Sequence, residues 1–528
     1  MNEQAAKSAF RIPHSEIIAG LICLLYFAFL VYFSRQHPFG TYATETDFYH
    51  LYAPDAVRIA AGQFPLNSFQ APGYPVLLSL VTKLTGDLFV AGKWISIISA
   101  VMCVWLMFAL FKQLFGEWIG VGAALLSTTV NEFPEFSLQA TTDVFFLLLC
   151  LVALVIFTGA YFSVRTRVIL AAFFTGVAYL TRYNGVFLLA CFVFAILVMN
   201  LFEKAWRERT ILTGIFLAAF IVTILPWLIA NAQHNGSPFY NTNYLNMATL
   251  FYPELADGEV TQDGTRKASE MFHSFSEVLS YKPTQAIKHY FTNLASIFWY
   301  SWNGSLVSSW LGLLGLLGAI FSLADRKTKP VRLLLLTMAA YFLLMGLNHW
   351  EARYFFFIGV CYAGLASYLV NRFAELASER KLFSLDSPFF RYVMTGVLLA
   401  VVWAISVVPA KASFGNFLHA HPYEIPAAAQ FLQSTNAAPH SLKILARKPH
   451  LPFMAKQNWV FFPQVKSLEE LKAWLETNRV DYIAIGKREL KSRKELAPLG
   501  DPKTAPDWLQ AAWTNDEPKF ILYKPNLK

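Results

Sequence analysis

The apolar residues of this chain do not alternate with polar ones at a strand or surface-helix period; they gather in long runs broken by short polar connections. Such runs lie at residues 17–33, 89–111, 118–130, 138–161, 168–180, 183–202, 211–230, 297–323, 333–347, 354–371 and 392–408. A bilayer core about 30 Å thick is crossed by roughly 20 apolar residues in a helix, because only a helix or a closed barrel satisfies its own backbone in lipid. The pattern therefore predicts a polytopic α-helical membrane protein of about eleven transmembrane helices.

The connections carry a second signal. Lys7 and Arg11, Lys112, Arg165 and Arg167, Lys204, Arg207 and Arg209, Arg326, Lys327, Lys329 and Arg332, and Arg372, Arg380, Lys381 and Arg391 fall on alternate sides of successive spans, hence on one common side. The opposite short connections hold only Arg35, Arg182 and Arg353 as isolated basic residues. Basic loops stay in the cytoplasm, so the N-terminus is expected there and, after an odd number of helices, the C-terminus outside. Lys7 and Arg11 before the first apolar run resemble a signal peptide, but the run is long enough to span and no small-residue cleavage site follows, so an uncleaved first helix is expected.

Three non-membrane regions then share the external face: residues 34–88, 231–296 and everything after 409. The expected organisation is a transmembrane domain over 1–409 and an external, in a bacterium periplasmic, α/β domain over 410–528. In the latter, residues 425–433 read as a helix, 442–446 and 481–485 as strands, and Ser467-x-x-Glu470 as a capping box opening a helix over 468–478, with the domain ending in 520–523.

Composition agrees: 56% of residues are hydrophobic and 15% charged, with a mean hydropathy of +0.42. Soluble domains carry about 25% charged residues, so a soluble fold is excluded. The net charge of +9 does not suggest nucleic acid, because the Lys and Arg sit in the short loops and the tail, where they set topology. Cys23, Cys103, Cys150, Cys191 and Cys361 lie inside apolar runs, without metal-ligand spacing and away from loops where disulfides form. No fixed-period repeat or low-complexity tract is present.

Ionisable groups at span ends are costly enough for their clustering to be informative. The external ends carry Glu45, Asp47, His50, Glu132, Glu135, Asp143, Arg182, His349, Glu351 and Arg353. The first external loop reads Thr44-Glu45-Thr46-Asp47-Phe48-Tyr49-His50, then Asp55 to Gly62 with Arg58, then Ala71-Pro72-Gly73-Tyr74-Pro75, and its helical part is expected to lie along the membrane surface. Aromatic residues such as Tyr49, Tyr52, Trp299, Tyr300, Trp302 and Trp350 are expected mainly as an interfacial belt.

These segments, with Thr142-Asp143, Leu180-Thr181-Arg182-Tyr183-Asn184-Gly185, Pro226-Trp227 with Asn231 and Gly236, and His349-Trp350-Glu351-Ala352-Arg353-Tyr354, resemble in order and sidedness the GT-C superfamily of membrane glycosyltransferases, near its protein mannosyltransferase and lipid A aminoarabinose transferase branches. That family carries an acidic residue just after the first span, here Asp47. Its protein mannosyltransferases have paired acidic residues, absent here because Phe48 follows Asp47, which weakens the expectation of a protein acceptor.

The resemblance implies transfer of a sugar, with inversion, from a polyprenyl-phosphate donor to an acceptor hydroxyl of a protein or glycolipid on the external face, in a membrane such as the bacterial inner membrane. The chemistry of the residues fits. A carboxylate within reach of the acceptor hydroxyl can take its proton, a role for Asp47. Guanidinium forks match the oxygens of a phosphate leaving group, a role for Arg353 and Arg182 with Arg58 behind them. Glu45, Tyr49, His50, Asp143, Glu351 and Tyr354 are the remaining candidates for substrate contact. Each has a blander reading: a helix cap for Asp47 or Asp143, a snorkelling anchor for Arg353. A divalent metal on His50 with Asp47 or Glu351 is chemically allowed, but a lone His is more often a satisfied polar residue, and no cofactor is expected. The competing class is a transporter or flippase of a lipid-linked sugar; its site would sit at midplane, whereas the central thirds of these spans lack Asp, Glu, Lys and Arg. Partners are therefore a polyprenyl-phosphate sugar, membrane lipids and an acceptor, with no nucleic acid.

Overall fold

A computed structural model describes residues 14–65, 69–255, 262–325, 328–379, 388–435 and 437–527. Of the basic residues used above for topology, Lys7, Arg11, Arg326, Lys327, Arg380 and Lys381 lie outside the described residues. The chain divides into two compact units: Met1–Gln36 with Asp55–Asn416, and His37–Pro54 with Phe417–Lys528.

The first unit is helical. Among the described residues, six of its helices are long and apolar enough to cross a membrane: His14–Ser34, Leu88–Phe115, Val164–Thr181, Trp206–Asn235, Ala352–Glu379 and Arg391–Leu418, the last reaching two residues beyond the unit. Shorter apolar helices, Glu117–Ser127, Asp143–Thr158, Tyr183–Leu197 and Ser309–Ala324, fall between them, so the chain is a multi-pass membrane protein. Local chemistry sets several ends: Asp87 accepts a hydrogen bond from Val90 N at 2.8 Å to start the helix Leu88–Phe115, and Ser163 accepts from Thr166 N to start Val164–Thr181. Contacts join connections expected on the cytoplasmic side. Lys112 Nζ lies 2.8 Å from Glu16, Lys329 Nζ donates to Asn200 O at 2.8 Å, and Arg391 donates to Asn371.

The apolar run 297–323, expected as one span, is two helices, Pro283–Trp302 and Ser309–Asp325. Asn303-Gly304-Ser305 breaks it, with Gly304 at φ +109°, a conformation that only glycine adopts without strain. Carbonyls freed at the break need partners, and the Asn131 amide donates to Gly304 O at 2.7 Å and Ser305 O at 3.1 Å. Apolar residues on both sides hid the break. The second of these helices then packs closely on Phe356–Glu379: a Cβ on Gly315 or Gly318 would strike the backbone at Tyr362 or Leu365, the small-residue contact that lets membrane helices approach.

The second unit is a five-stranded sheet ordered β2-β1-β3-β5-β4, with β1 Lys443–Leu445, β2 Asn458–Val460, β3 Tyr482–Gly486, β4 Leu509–Asn515 and β5 Phe520–Pro525. β1 pairs in parallel with β2 and β3, and β5 pairs antiparallel with β3 and β4. Alternation along the strands builds two cores. Ile444, Tyr482, Ala484, Phe520 and Leu522 face the helices Glu424–Ser434 and His450–Met454; Leu445, Ile483, Ile485, Ile521 and Tyr523 face Leu468–Asn478 through Leu471 and Leu475. Ser467 caps that last helix by accepting from Glu470 N.

Candidate active site

In the helical unit, three segments far apart in sequence meet. Asp143 is the first residue of the helix Asp143–Thr158, where the positive end of the helix dipole favours a carboxylate; Arg182 closes the helix Val164–Thr181; Glu351, Arg353 and Tyr354 sit at the turn that opens Phe356–Glu379. Asp143 is 3% exposed. Its Oδ1 is hydrogen-bonded by Arg182 Nη1, and its Oδ2 lies 3.7 Å from Arg353 Nη1 while accepting no hydrogen bond. Arg182 also reaches Thr142 Oγ1 at 3.3 Å.

Both guanidinium groups lie over the Tyr354 ring, at 4.8 Å for Arg182 and 4.7 Å for Arg353, and Tyr354 Oη accepts from Arg353 Nη2 at 3.0 Å. The phenol thus holds two like charges against one another, by attraction to its π face. Tyr341 donates to Tyr354 O and fixes the turn. Arg353 Nε is hydrogen-bonded to Glu351, whose other oxygen is 2.9 Å from His349 Nε2. Burial pushes the Glu351 carboxyl up, but the His349 hydrogen bond and the Arg353 guanidinium outweigh it and hold the group down at about 2. A small pocket lined by Asp143, Arg182, Arg353, Tyr341, Tyr354 and neighbouring apolar residues opens on this cluster.

Sequence reasoning gave Glu132 and His349 no role beyond membership of the ionisable set at the external ends. Glu132 feels the cluster: burial, then the Glu351 charge, raise its carboxyl to about 7, against the pull of Arg353. Its sequence neighbours, Asn131 and Phe133, mark it as no more than a loop residue; only the tertiary approach to Glu351 reveals it. Arg58 is engaged elsewhere in this unit: its Nε donates to Phe64 O at 2.9 Å, bracing a loop whose Phe64 ring stacks on His234 at 4.0 Å. It does not line the Asp143 pocket.

Asp47, Glu45, Tyr49 and His50 belong to the second unit. Asp47 precedes a single π-helical turn, Phe48–Tyr52, and its side chain does not cap that turn. Such turns are rare and frequent at functional sites. The neighbouring Lys448 is pushed down to about 8 by burial and by Arg447, while the Asp47 charge works in the opposite direction. Glu45 is fully buried: Oε2 accepts from Thr41 N at 2.8 Å and Oε1 lies 2.9 Å from His37 Nε2, whose Nδ1 is 2.6 Å from His421 Nε2. Tyr49, like Tyr52, is buried, not displayed at an interface; its Oη accepts from Gly40 N and its ring packs on His450 and Phe453. His50 is exposed and edge-on to Trp459. Among the described residues no group of three or more His, Cys, Asp or Glu is placed to hold a metal.

Residues 69–229, which include Asp143 and Arg182, match the family model of dolichyl-phosphate-mannose-protein mannosyltransferase. No curated protein matches the chain. Among solved structures, the archaeal oligosaccharyltransferase AglB from Archaeoglobus fulgidus, in complex with an inhibitory peptide and a dolichol-phosphate, is 12% identical with a TM-score of 0.58, over 89% of this chain and 70% of that one. ArnT from Cupriavidus metallidurans bound to undecaprenyl phosphate is 12% identical with a TM-score of 0.56, over 96% and 97%. A helical membrane unit, a small sheet unit and these similarities agree: the chain is a multi-pass membrane protein with the fold of the GT-C glycosyltransferase superfamily.

Proposed function

We propose that this protein is an inverting glycosyltransferase that moves a sugar from a polyprenyl-phosphate donor to an acceptor hydroxyl on the external face of the membrane. The observation that carries the reading is the meeting of Arg182 and Arg353 over Tyr354, in a cleft of the helical unit at the ends of apolar helices. A lipid-borne phosphate needs fixed cations at the membrane surface, and two planar guanidinium groups supply them in the geometry that phosphate oxygens accept. Their charges are balanced by Asp143 and Glu351, so the cluster is stable without a ligand and exchanges part of this internal pairing for the phosphate. The lipids found in complex with AglB and bound to ArnT, dolichol-phosphate and undecaprenyl phosphate, are of this chemical class.

In the transfer step the acceptor oxygen forms a bond to the anomeric carbon as the bond from that carbon to the phosphate oxygen breaks. The electron pair leaves on the phosphate, where Arg353 and Arg182 stabilise it, and the acceptor proton passes to a carboxylate base, the role for which the sequence offers Asp47. Glu45 and Tyr49 are assigned to holding the segment that carries Asp47, through Thr41 N and Gly40 N. The basic connections support a reading with the N-terminus in the cytoplasm and the C-terminus outside, in a membrane such as the bacterial inner membrane.

The test is sugar transfer by the purified chain in lipid nanodiscs, with undecaprenyl phosphate as the released product. Asp47→Asn is expected to insert and bind undecaprenyl phosphate like the parent while transfer falls about 10²–10⁴-fold, the usual contribution of a general base. Full transfer by Asp47→Asn removes the assigned base; movement of an intact lipid-linked sugar across the bilayer without cleavage makes the protein a flippase.

A further inference from the structure

A cavity of about 540 Å³ lies in the helical unit, within the roughly 300–1,000 Å³ range of small-molecule sites. One wall comes from residues 237–247 and 273–275 of the long external connection, the other from Tyr183, Asn184 and the segment Leu344 to Asn348. Its chemistry differs from that of the arginine cluster. Asn184, Asn241, Asn243, Asn246 and Asn348 line it together with Tyr183, Tyr240 and Tyr244, and among the described lining residues there is no Asp, Glu, Lys or Arg.

A carboxamide offers two donors and an acceptor, and so matches a sugar hydroxyl, which both gives and takes a hydrogen bond; tyrosine adds an apolar face and a polar tip. An isoprenoid chain would match the apolar part of the lining, Phe239, Phe275 and Leu344 among it, but would strip water from the amides and return no hydrogen bond. An anionic headgroup or a charged peptide would meet no Lys, Arg, Asp or Glu on this lining, and its His273 already lies 3.6 Å from Glu277. Two of the amides are ready to bind. The Asn246 side chain makes no hydrogen bond among the described residues, and Asn184 Nδ2 is spent only on Met345 Sδ at 3.2 Å, a weak acceptor. Asn243 and Asn241, by contrast, are tied to Phe69 O and Phe239 O and shape the wall.

The cavity also adjoins the arginine cluster along the chain: Tyr183-Asn184 follow Arg182 directly, and Leu347-Asn348 precede His349. Resting on the glycosyltransferase reading, we propose that this cavity is a saccharide subsite and that the acceptor is an uncharged, hydroxyl-rich glycan. The ring that receives the new bond is presented toward the Arg182–Arg353 cluster while the amides hold its neighbours.

The test uses the full chain in nanodiscs and saturation-transfer NMR with four neutral disaccharides, cellobiose, lactose, maltose and N,N′-diacetylchitobiose, alongside glucose 6-phosphate and farnesol. At least one neutral disaccharide binds and is displaced by neither glucose 6-phosphate nor farnesol. Asn246→Ala and Asn184→Ala each weaken it about 2- to 10-fold, the effect of one neutral hydrogen bond, with the melting temperature unchanged. The proposal is overturned if none of the four binds, if farnesol or glucose 6-phosphate takes the cavity instead, or if both alanine variants bind like the parent. These failures are separable from failure of the glycosyltransferase reading, because transfer from the polyprenyl-phosphate donor is scored independently through Asp47→Asn.

Discussion

Replacing Asp143 by asparagine separates the two tasks of the arginine cluster. The carboxylate is 3% exposed, pairs with Arg182 and stands 3.7 Å from Arg353, so its loss leaves Glu351 as the carboxylate paired with Arg353 while both guanidinium groups share one phenol. Removing one partner of a buried ion pair costs about 3–5 kcal/mol. Arg182 keeps 16% of its side-chain surface in contact with solvent and retains Thr142 and the Tyr354 ring, which puts the expected loss near the lower end, about 3 kcal/mol. A bound phosphate restores the missing negative charge. Saturating undecaprenyl phosphate, at about 100 times its Kd, stabilises any binding-competent chain by about 2.7 kcal/mol, and the variant gains more because its phosphate meets no carboxylate competitor. The assay is thermal unfolding read by a thiol-reactive dye, since all five cysteines are buried in the fold. Asp143→Asn should melt several degrees below the parent and recover most of that gap on adding undecaprenyl phosphate. A variant that melts with the parent, or one that the lipid stabilises no more than the parent, refutes the reasoning.

Glu132, raised to about 7, binds more protons in the folded than in the unfolded chain between its ordinary value of 4.5 and about 7, so its contribution to stability falls as pH rises through that window and is level above it. Glu132→Gln should erase this slope, visible as a melting-temperature difference from the parent that grows from pH 4.5 to 7. Gly364→Ala would drive a Cβ to within 2.4 Å of three Phe111 ring atoms, so it should destabilise the helical unit by about 1–3 kcal/mol in the same melting assay. Glu45→Ala strips buried His37 and Thr41 N of their acceptor, at about 1–3 kcal/mol each, and should lower the melting temperature of the sheet unit without changing the affinity for undecaprenyl phosphate.

Much of this architecture is written in short-range pattern. Long apolar runs can do little except span, and the elements of the sheet unit follow from period and capping: Ser467-x-x-Glu470 opens the helix Leu468–Asn478, and the expected strand at 481–485 appears as Tyr482–Gly486. Three features were not legible for a common reason: each depends on residues distant in sequence. The break at Gly304 is met by Asn131, which answers its carbonyls from 173 residues away. The strands Asn458–Val460 and Leu509–Asn515 are edge strands, largely half-buried or exposed, that are defined by their pairing with distant partners. The segment His37–Pro54 joins the unit of Phe417–Lys528 through pairs such as His37 with His421 and Thr41 with His450, which no local rule announces. At the site, order and sidedness singled out Asp143, Arg182, Arg353 and Tyr354, and these do meet, but the part of Glu132 and the amide-lined cavity belong to tertiary structure alone.

The most direct test of the central claim is a cryo-EM structure of the full chain in nanodiscs with undecaprenyl phosphate. The account predicts phosphate density within hydrogen-bonding distance of the Arg353 and Arg182 guanidinium groups, with Arg353 drawn from Asp143. Density for the lipid elsewhere, with both arginines still held by Asp143 and Glu351, would contradict it.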